Sequence, residues 1–214
     1  MQSKIKSLIL VGSFLLSAVA HADEGRIDIT GPTTISAPGS YIVVKDIVAT
    51  SSAIRIESSN VKLDLNGFTV SQTGANLADG IVIYPEHKNI EVTNGTITGF
   101  TRHGLFVPGE SRQGRNIKLS NLRVSDNAST GLRLESNAGF IIEDCLVSSH
   151  VLGIYANGAG LLLNSLITDN KTGFASHSSG RTGYRSNVFD ANGADISGTP
   201  TNLGENLCSG VICL

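Results

Sequence analysis

A short motif recurs along this chain. Gly80-Ile-Val-Ile, Gly104-Leu-Phe-Val, Gly131-Leu-Arg-Leu, Gly153-Ile-Tyr-Ala and Gly173-Phe-Ala-Ser align with one another, and Ala53-Ile-Arg-Ile is an earlier copy without the glycine. Behind each comes a second apolar alternation: Asn60-Val-Lys-Leu, Asn89-Ile-Glu-Val and Asn116-Ile-Lys-Leu, then the weaker Phe140-Ile-Ile and Leu161-Leu-Leu. A turn residue follows at Asn66, Asn94, Asn121, Asp144, Asn164 and Asn187, and a third alternation after it, as in Thr96-Ile-Thr, Arg123-Val-Ser, Leu146-Val-Ser and Leu166-Ile-Thr. Successive turn residues differ by 28, 27, 23, 20 and 23 positions. A repeat of this size marks a stacked architecture, because one unit cannot bury its own apolar face.

Period-2 alternation bounded by Gly, Asn, Asp and Ser reads as short strands, and no stretch beyond the N-terminal apolar run carries a 3.6-residue stripe. The intervals are too short for strand-helix-strand units of about 30 residues. Three strands and three turns per coil account for the spacing. The pattern therefore predicts an all-β, single-domain parallel β-helix of about six to seven coils. Asn and Asp tolerate the left-handed backbone of a sharp bend, and stacked asparagines can hydrogen-bond along the coils. The expected layout is a leader at 1–22, an N-terminal cap at 23–52, the β-helix at 53–195 and a C-terminal cap at 196–214. Arg185 falls where an inward apolar residue is expected, which predicts a distorted last coil.

The ends and the composition set the compartment. Lys4 and Lys6, the apolar run Leu8 to Ala20 and the small-x-small triplet Ala20-His21-Ala22 form a signal-peptide pattern. This predicts export to the periplasm or the exterior. The run is shorter than the roughly 20 residues of a spanning helix, so an integral membrane protein is not expected. Without the leader, 192 residues (214 minus 22) carry 14 basic groups (16 minus 2) and 18 acidic ones. A formal charge of −4 (14 minus 18) argues against a nucleic-acid partner. In an oxidising compartment Cys208 and Cys213 can close a small disulfide loop; a metal pair, the alternative, lacks its second pair of ligands. Cys145 sits in an apolar alternation and reads as a core residue.

The stretches Leu63-Asp-Leu-Asn-Gly-Phe-Thr-Val70, Val92-Thr-Asn-Gly-Thr-Ile-Thr-Gly-Phe100 and Asn202-Leu-Gly-Glu-Asn-Leu-Cys-Ser-Gly-Val-Ile-Cys213 resemble the right-handed parallel β-helix proteins of the pectate-lyase-like superfamily, in a bacterial exported branch. The resemblance implies the fold across nearly all of the chain after the leader. For activity it implies a range: polysaccharide lyases, hydrolases, epimerases, adhesins and proteins with no known reaction. A lyase would use an Arg or Lys base with calcium held by clustered carboxylates, an epimerase a Tyr and His pair. No dense acidic cluster stands in this sequence, so no cofactor is expected outside the lyase reading.

Alternate residues of the first strand of each coil point outward. Taking the residue after each opening Gly or Ala as inward, the outward set is Arg55, Glu57, Val82, Tyr84, Phe106, Arg133, Glu135, Tyr155, Asn157, Ala175 and His177. Tyr84, Phe106 and Tyr155 offer rings on which a sugar can stack, while Arg133, Glu135, Asn157 and His177 offer hydrogen bonds; a plain solvated face is the alternative. Arg133 with Glu135, or Tyr155 with His177, are the pairs that imitate the lyase and epimerase groups. His87, Lys88, Arg112 and Arg115 form a candidate basic loop edge for an acidic polymer, against loops that serve solubility. His103 and His150 are separated by the Gly131 coil, which speaks against a shared metal. The leading expectation is polysaccharide binding along the lateral sheet. Uronate lyase or epimerase action, and a structural or adhesive role, are the alternatives.

Overall fold

A computed structural model describes residues 25–109, 116–135, 139–176 and 181–213. The leader lies outside these residues. Among the described residues every regular element is a strand. The first strands of the coils, Thr33–Ile35, Ile54–Ile56, Ile81–Ile83, His103–Val107, Thr130–Leu134, Leu152–Ala156, Thr172–Ser176 and Ala194–Gly198, stack in parallel into one eight-stranded sheet. The second and third strands form the two faces of a bent sixteen-stranded sheet, and Ile90–Thr98 and Ile117–Ser125 run through the bend from one face to the other. The terminal segments expected as caps are coiled too. Thr33–Ile35, Gly39–Val43 and Ile47–Ala49 form a complete first coil, each pairing with its successor in the next.

Inward residues stack in columns. Ile54, Ile81, Leu105, Leu132, Ile154 and Phe174 are in register from coil to coil and wholly buried. Full burial of each such side chain contributes about 1.5–3 kcal/mol, which no single coil could secure alone. Size is balanced between coils: Gly160 is in register with Phe140, and a Cβ at Gly160 would stand 2.6 Å from that ring. Phenylalanine in one coil thus fills the place glycine leaves in the next.

The opening glycines have a related cause. A Cβ at Gly104 would lie 2.7 Å from the Gly131 carbonyl oxygen and 2.7 Å from Val124 Cγ1, and those at Gly80, Gly131 and Gly153 would equally meet the next coil's opening glycine. Close approach of stacked backbones at the corner, and not backbone freedom, selects glycine here.

The bend between second and third strands is made by one left-handed residue per coil: Asn94, Asn121, Asp144, Asn164 and Ser186 have φ of 59°, 53°, 54°, 49° and 57°. Asn187 was expected in this role, but the left-handed residue is its neighbour Ser186. Asn187 itself points inward, is wholly buried, and takes part in a ladder: Ser165 N donates to Asn187 Oδ1 (3.0 Å), and Asn187 N to Asn206 Oδ1 (3.0 Å).

The expected asparagine ladder lies elsewhere. Asn116 donates to Asn89 (3.1 Å) and Asn89 to Asn60 (2.8 Å) at the entry to the second strands. A ladder of Asn127, His150 and Asn170, all buried, ending at the half-buried Asn192, fills the corner between third and first strands.

Arg185 is also corrected. It is exposed and pairs with Glu205 through Nε (3.0 Å), in register with outward Leu163. The inward residue of that coil is Tyr184, whose ring contacts Phe174 and Phe189 at 6.0 Å each and closes the core. Beyond it Leu207–Cys208 pairs antiparallel with Val211–Ile212, tied by the Cys208–Cys213 disulfide.

Candidate functional site

The outer face of the first sheet carries the stripe that the repeat places there. Arg55, Val82, Phe106, Arg133, Tyr155 and Ala175 are mutual register partners and form one column. Phe106, Arg133, Glu135, Tyr155, Asn157 and Tyr84 are all partly exposed, whereas Val82 is covered by its neighbours. Tyr84, Glu135 and Asn157 follow the strands and are held at the same edge by backbone bonds to the coil before: Tyr84 N to Ile56 O, Glu135 N to Val107 O and Asn157 N to Leu134 O. His177 lies outside the described residues, as do Arg112 and Arg115.

The rings are not bare. The Arg102 guanidinium sits 5.5 Å from the centroid of Phe106, and that of Arg133 sits 5.3 Å from the centroid of Tyr155. Such cation–ring contacts are worth about 0.5–1 kcal/mol at exposed sites and fix the orientation of both partners. Each arginine also meets a carboxylate. Arg133 Nε donates to Glu135 Oε1 at 2.7 Å, with Nη2 on the same oxygen, and Arg102 Nη1 lies 3.3 Å from Asp79 Oδ2. A ligand laid along this column therefore meets guanidinium edges as well as rings.

A second, largely buried column lies beside the stripe, where the sequence reading did not place it. Asp79, His103, Thr130 and Leu152 precede the opening glycines, and strict alternation from the glycine puts that position out of account. The glycine and the residue after it both face inward: a Cβ at Gly104 would meet Val124, and Leu105 is fully buried. Alternation breaks there, and the preceding residue comes out beside the stripe.

His103 is 5 % exposed, its ring 5.2 Å from Phe106, and its Nδ1 is buried with no hydrogen-bond partner. Burial, with Arg133 and Arg102 nearby, lowers its pKa to about 4, so the ring is neutral near pH 7. Burial pushes the Asp79 carboxyl up from its ordinary range, opposed by Arg102, by the His103 backbone N–H that Oδ1 accepts at 3.1 Å, and by Arg133.

His150 does not join this face. It lies in the interior ladder, accepting from Asn127 Nδ2 at Nε2 (3.1 Å) and donating from Nδ1 to Asn170 Oδ1 (3.1 Å). His87 stands 3.9 Å from Glu86, and Lys88 is exposed. Burial drives the Cys145 thiol up to about 12, which makes it an inert core group. Among the described residues no three His, Cys, Asp or Glu side chains group as metal ligands, and the two carboxylates nearest the stripe are engaged by arginines. These residues do not fit the calcium site that the lyase reading requires.

No curated protein and no solved structure matches this chain. The family described as right handed beta helix region matches residues 39–206, which takes in most of the parallel coils, the stripe and the last bend. The chain belongs to the right-handed β-helix family.

Proposed function

We propose that the protein is exported and that its first-sheet outer face binds a polysaccharide. The observation that carries this reading is the Phe106–Arg133–Tyr155 column. Two partly open rings stand two coils apart, roughly 10 Å by the ordinary strand spacing, with guanidinium groups held against both. A row of aromatic and polar groups on a rigid sheet suits an extended chain of sugars, whose apolar ring faces and hydroxyls repeat along the same axis. The supporting sheet is preorganised, so little ordering cost accompanies binding.

The test is affinity electrophoresis or calorimetry of the chain without residues 1–22 against a panel of polysaccharides. Phe106→Ala with Tyr155→Ala is expected to weaken binding about tenfold or more, the loss of roughly 1.4 kcal/mol. Equal binding by the double variant, or no binding by the parent to any polymer, would sink the reading.

A second reading, turnover, draws on Asp79 and His103, two buried titratable groups with shifted equilibria beside the stripe. Polymer incubated with the protein would then yield an unsaturated, ultraviolet-absorbing product or an epimerised residue, and neither product in any incubation counts against it.

A further inference from the structure

We infer that the polysaccharide taken by this face is uncharged, and that Asp79 and Glu135 act as specificity groups that turn away polyuronates. The inference rests on the binding reading above and concerns which class of glycan the same surface accepts.

Recognition of a sugar carboxylate depends on a cation with an open donor fork, because paired N–H groups on carboxylate oxygens are what makes such contacts strong. On this face two of the three arginines already face a carboxylate. Arg133 presents Nε and Nη2 to Glu135 Oε1, and Arg102 presents Nη1 to Asp79 Oδ2.

Charge balance along the face agrees. Across residues 54–57, 79–84, 102–108, 130–135 and 152–157 the cations are Arg55, Arg102 and Arg133, and the acids are Glu57, Asp79 and Glu135. His103 is neutral near pH 7. A uronate brought to Arg102 or Arg133 would place its carboxylate beside Asp79 or Glu135. Two like charges 4 Å apart repel by about 1 kcal/mol in water and about 4 kcal/mol near a protein surface, once per sugar that repeats the contact.

A hydroxyl meets no such conflict. It donates and accepts, so it can take an N–H from Arg133 or Arg102 and give its proton to a carboxylate oxygen of Glu135 in the same place. Asn157 and the Tyr84 and Tyr155 hydroxyls add donors and acceptors of the same neutral kind. Asp79 is the more committed member, since its side chain is 5 % exposed and also accepts the His103 amide, whereas that of Glu135 is 31 % exposed.

The test titrates the chain lacking residues 1–22 with neutral homopolymers of glucose, mannose and galactose and with polymers of galacturonate, mannuronate and guluronate, at low and high ionic strength. Expected is binding to at least one neutral polymer with little salt dependence, and binding to each polyuronate at least about tenfold weaker. Glu135→Gln, a substitution at a partly exposed position, releases Arg133 and is expected to raise polyuronate affinity about tenfold, in a salt-sensitive way. Asp79→Asn, checked for an unchanged unfolding midpoint, is expected to do the same through Arg102.

Tighter binding of the parent to a polyuronate than to every neutral polymer overturns the inference and leaves the binding reading standing. So does a Glu135→Gln protein whose polyuronate affinity stays where it was. If the parent binds no polymer of either class, both readings fall together.

Discussion

The first coils and the last coils of this solenoid solve the same packing problem with opposite distributions of polarity. On the outer face of the second strands one column runs Lys62, Glu91, Lys118 and then Ile141, Leu161 and Gly183, all register partners. On the third strands the column Thr69, Thr96, Arg123 continues as Leu146, Leu166, Val188 and Leu207. The inner corners change the other way. Phe100 and Leu122 occupy them in the early coils, while His150, Asn170, Ser165, Asn187 and Asn206 occupy them later, nearly all with little or no exposure. The comparison teaches that a corner in a parallel solenoid can be held by apolar filling or by hydrogen bonds that satisfy the turning backbone. Once bonds hold the corner, outer apolar residues are not what keeps the coil closed.

The sharpest way to break the comparison is to remove a rung. Asn170 Nδ2 donates to Val147 O (3.2 Å), Thr168 O (2.8 Å) and Asn192 Oδ1 (3.1 Å), and Asn170 Oδ1 accepts the His150 amide at 3.0 Å. Asn170→Leu keeps the branching and the number of heavy atoms and strands those backbone groups without water. At about 1–3 kcal/mol for each group left unpaired, a loss of roughly 3–5 kcal/mol is expected. Urea unfolding with an unchanged slope measures it. Phe100→Ala at the equivalent early corner is expected to cost a similar amount, by cavity formation instead. A near-neutral Asn170→Leu would show that the later corners are space-filled as well.

His150 gives the next largest effect, and its sign is fixed by its place in the ladder. In the folded chain the ring is neutral, with its pKa lowered to about 4 by burial against the bond to Asn170, while in the unfolded chain it takes up a proton near 6.5. Between those values the unfolded state binds the extra proton, so stability is complete above pH 6.5 and falls as pH falls toward 4. The full change approaches about 3 kcal/mol for His150, and His103, lowered to about 4 as well, adds a comparable slope over the same window. His150→Asn extends the amide ladder with a group that does not titrate. It is expected to remove roughly half of the acid sensitivity between pH 6.5 and 4 in thermal unfolding curves. An unchanged slope would place the sensitivity elsewhere and leave His150 a space filler.

Much of this architecture was legible in the chain because stacking imposes a local signature. Gly104, Gly131 and Gly153 stand where a Cβ would strike the next coil, and Asn94, Asn121 and Asn164 stand at left-handed positions; both demands act on single residues and so mark the sequence directly. The Cys208–Cys213 pairing was equally local. Arg185 and Asn187 were misplaced for one shared reason. Ser186 takes the left-handed position that Asn or Asp holds in the earlier coils, and a shift of one residue exchanges the inward and outward sets.

The stripe from Phe106 to Tyr155 followed from alternation, whereas Asp79 and Arg102 did not. Their part in the site comes from contacts between coils, Arg102 with Asp79 and with the Phe106 ring, which sequence spacing does not encode.

The smallest expected effect tests the outer columns. Leu166 and Val188 are 41 % and 39 % exposed although they sit in the middle of a sheet face. If the inner ladder and core hold these coils, Leu166→Thr with Val188→Thr replaces two partly solvated side chains by another β-former. The folding free energy is then expected to change by no more than about 0.5 kcal/mol at each position. The same double variant should lower the uptake of a dye that binds exposed apolar surface, because the column is a continuous patch and not scattered single residues. A loss of about 2 kcal/mol or more, the scale of a buried aliphatic side chain, would mean that the column is covered in solution. Sedimentation at rising concentration would then show association in the parent and not in the variant. That outcome would turn the polarity reversal from a consequence of how the corners are held into a requirement for holding two chains together.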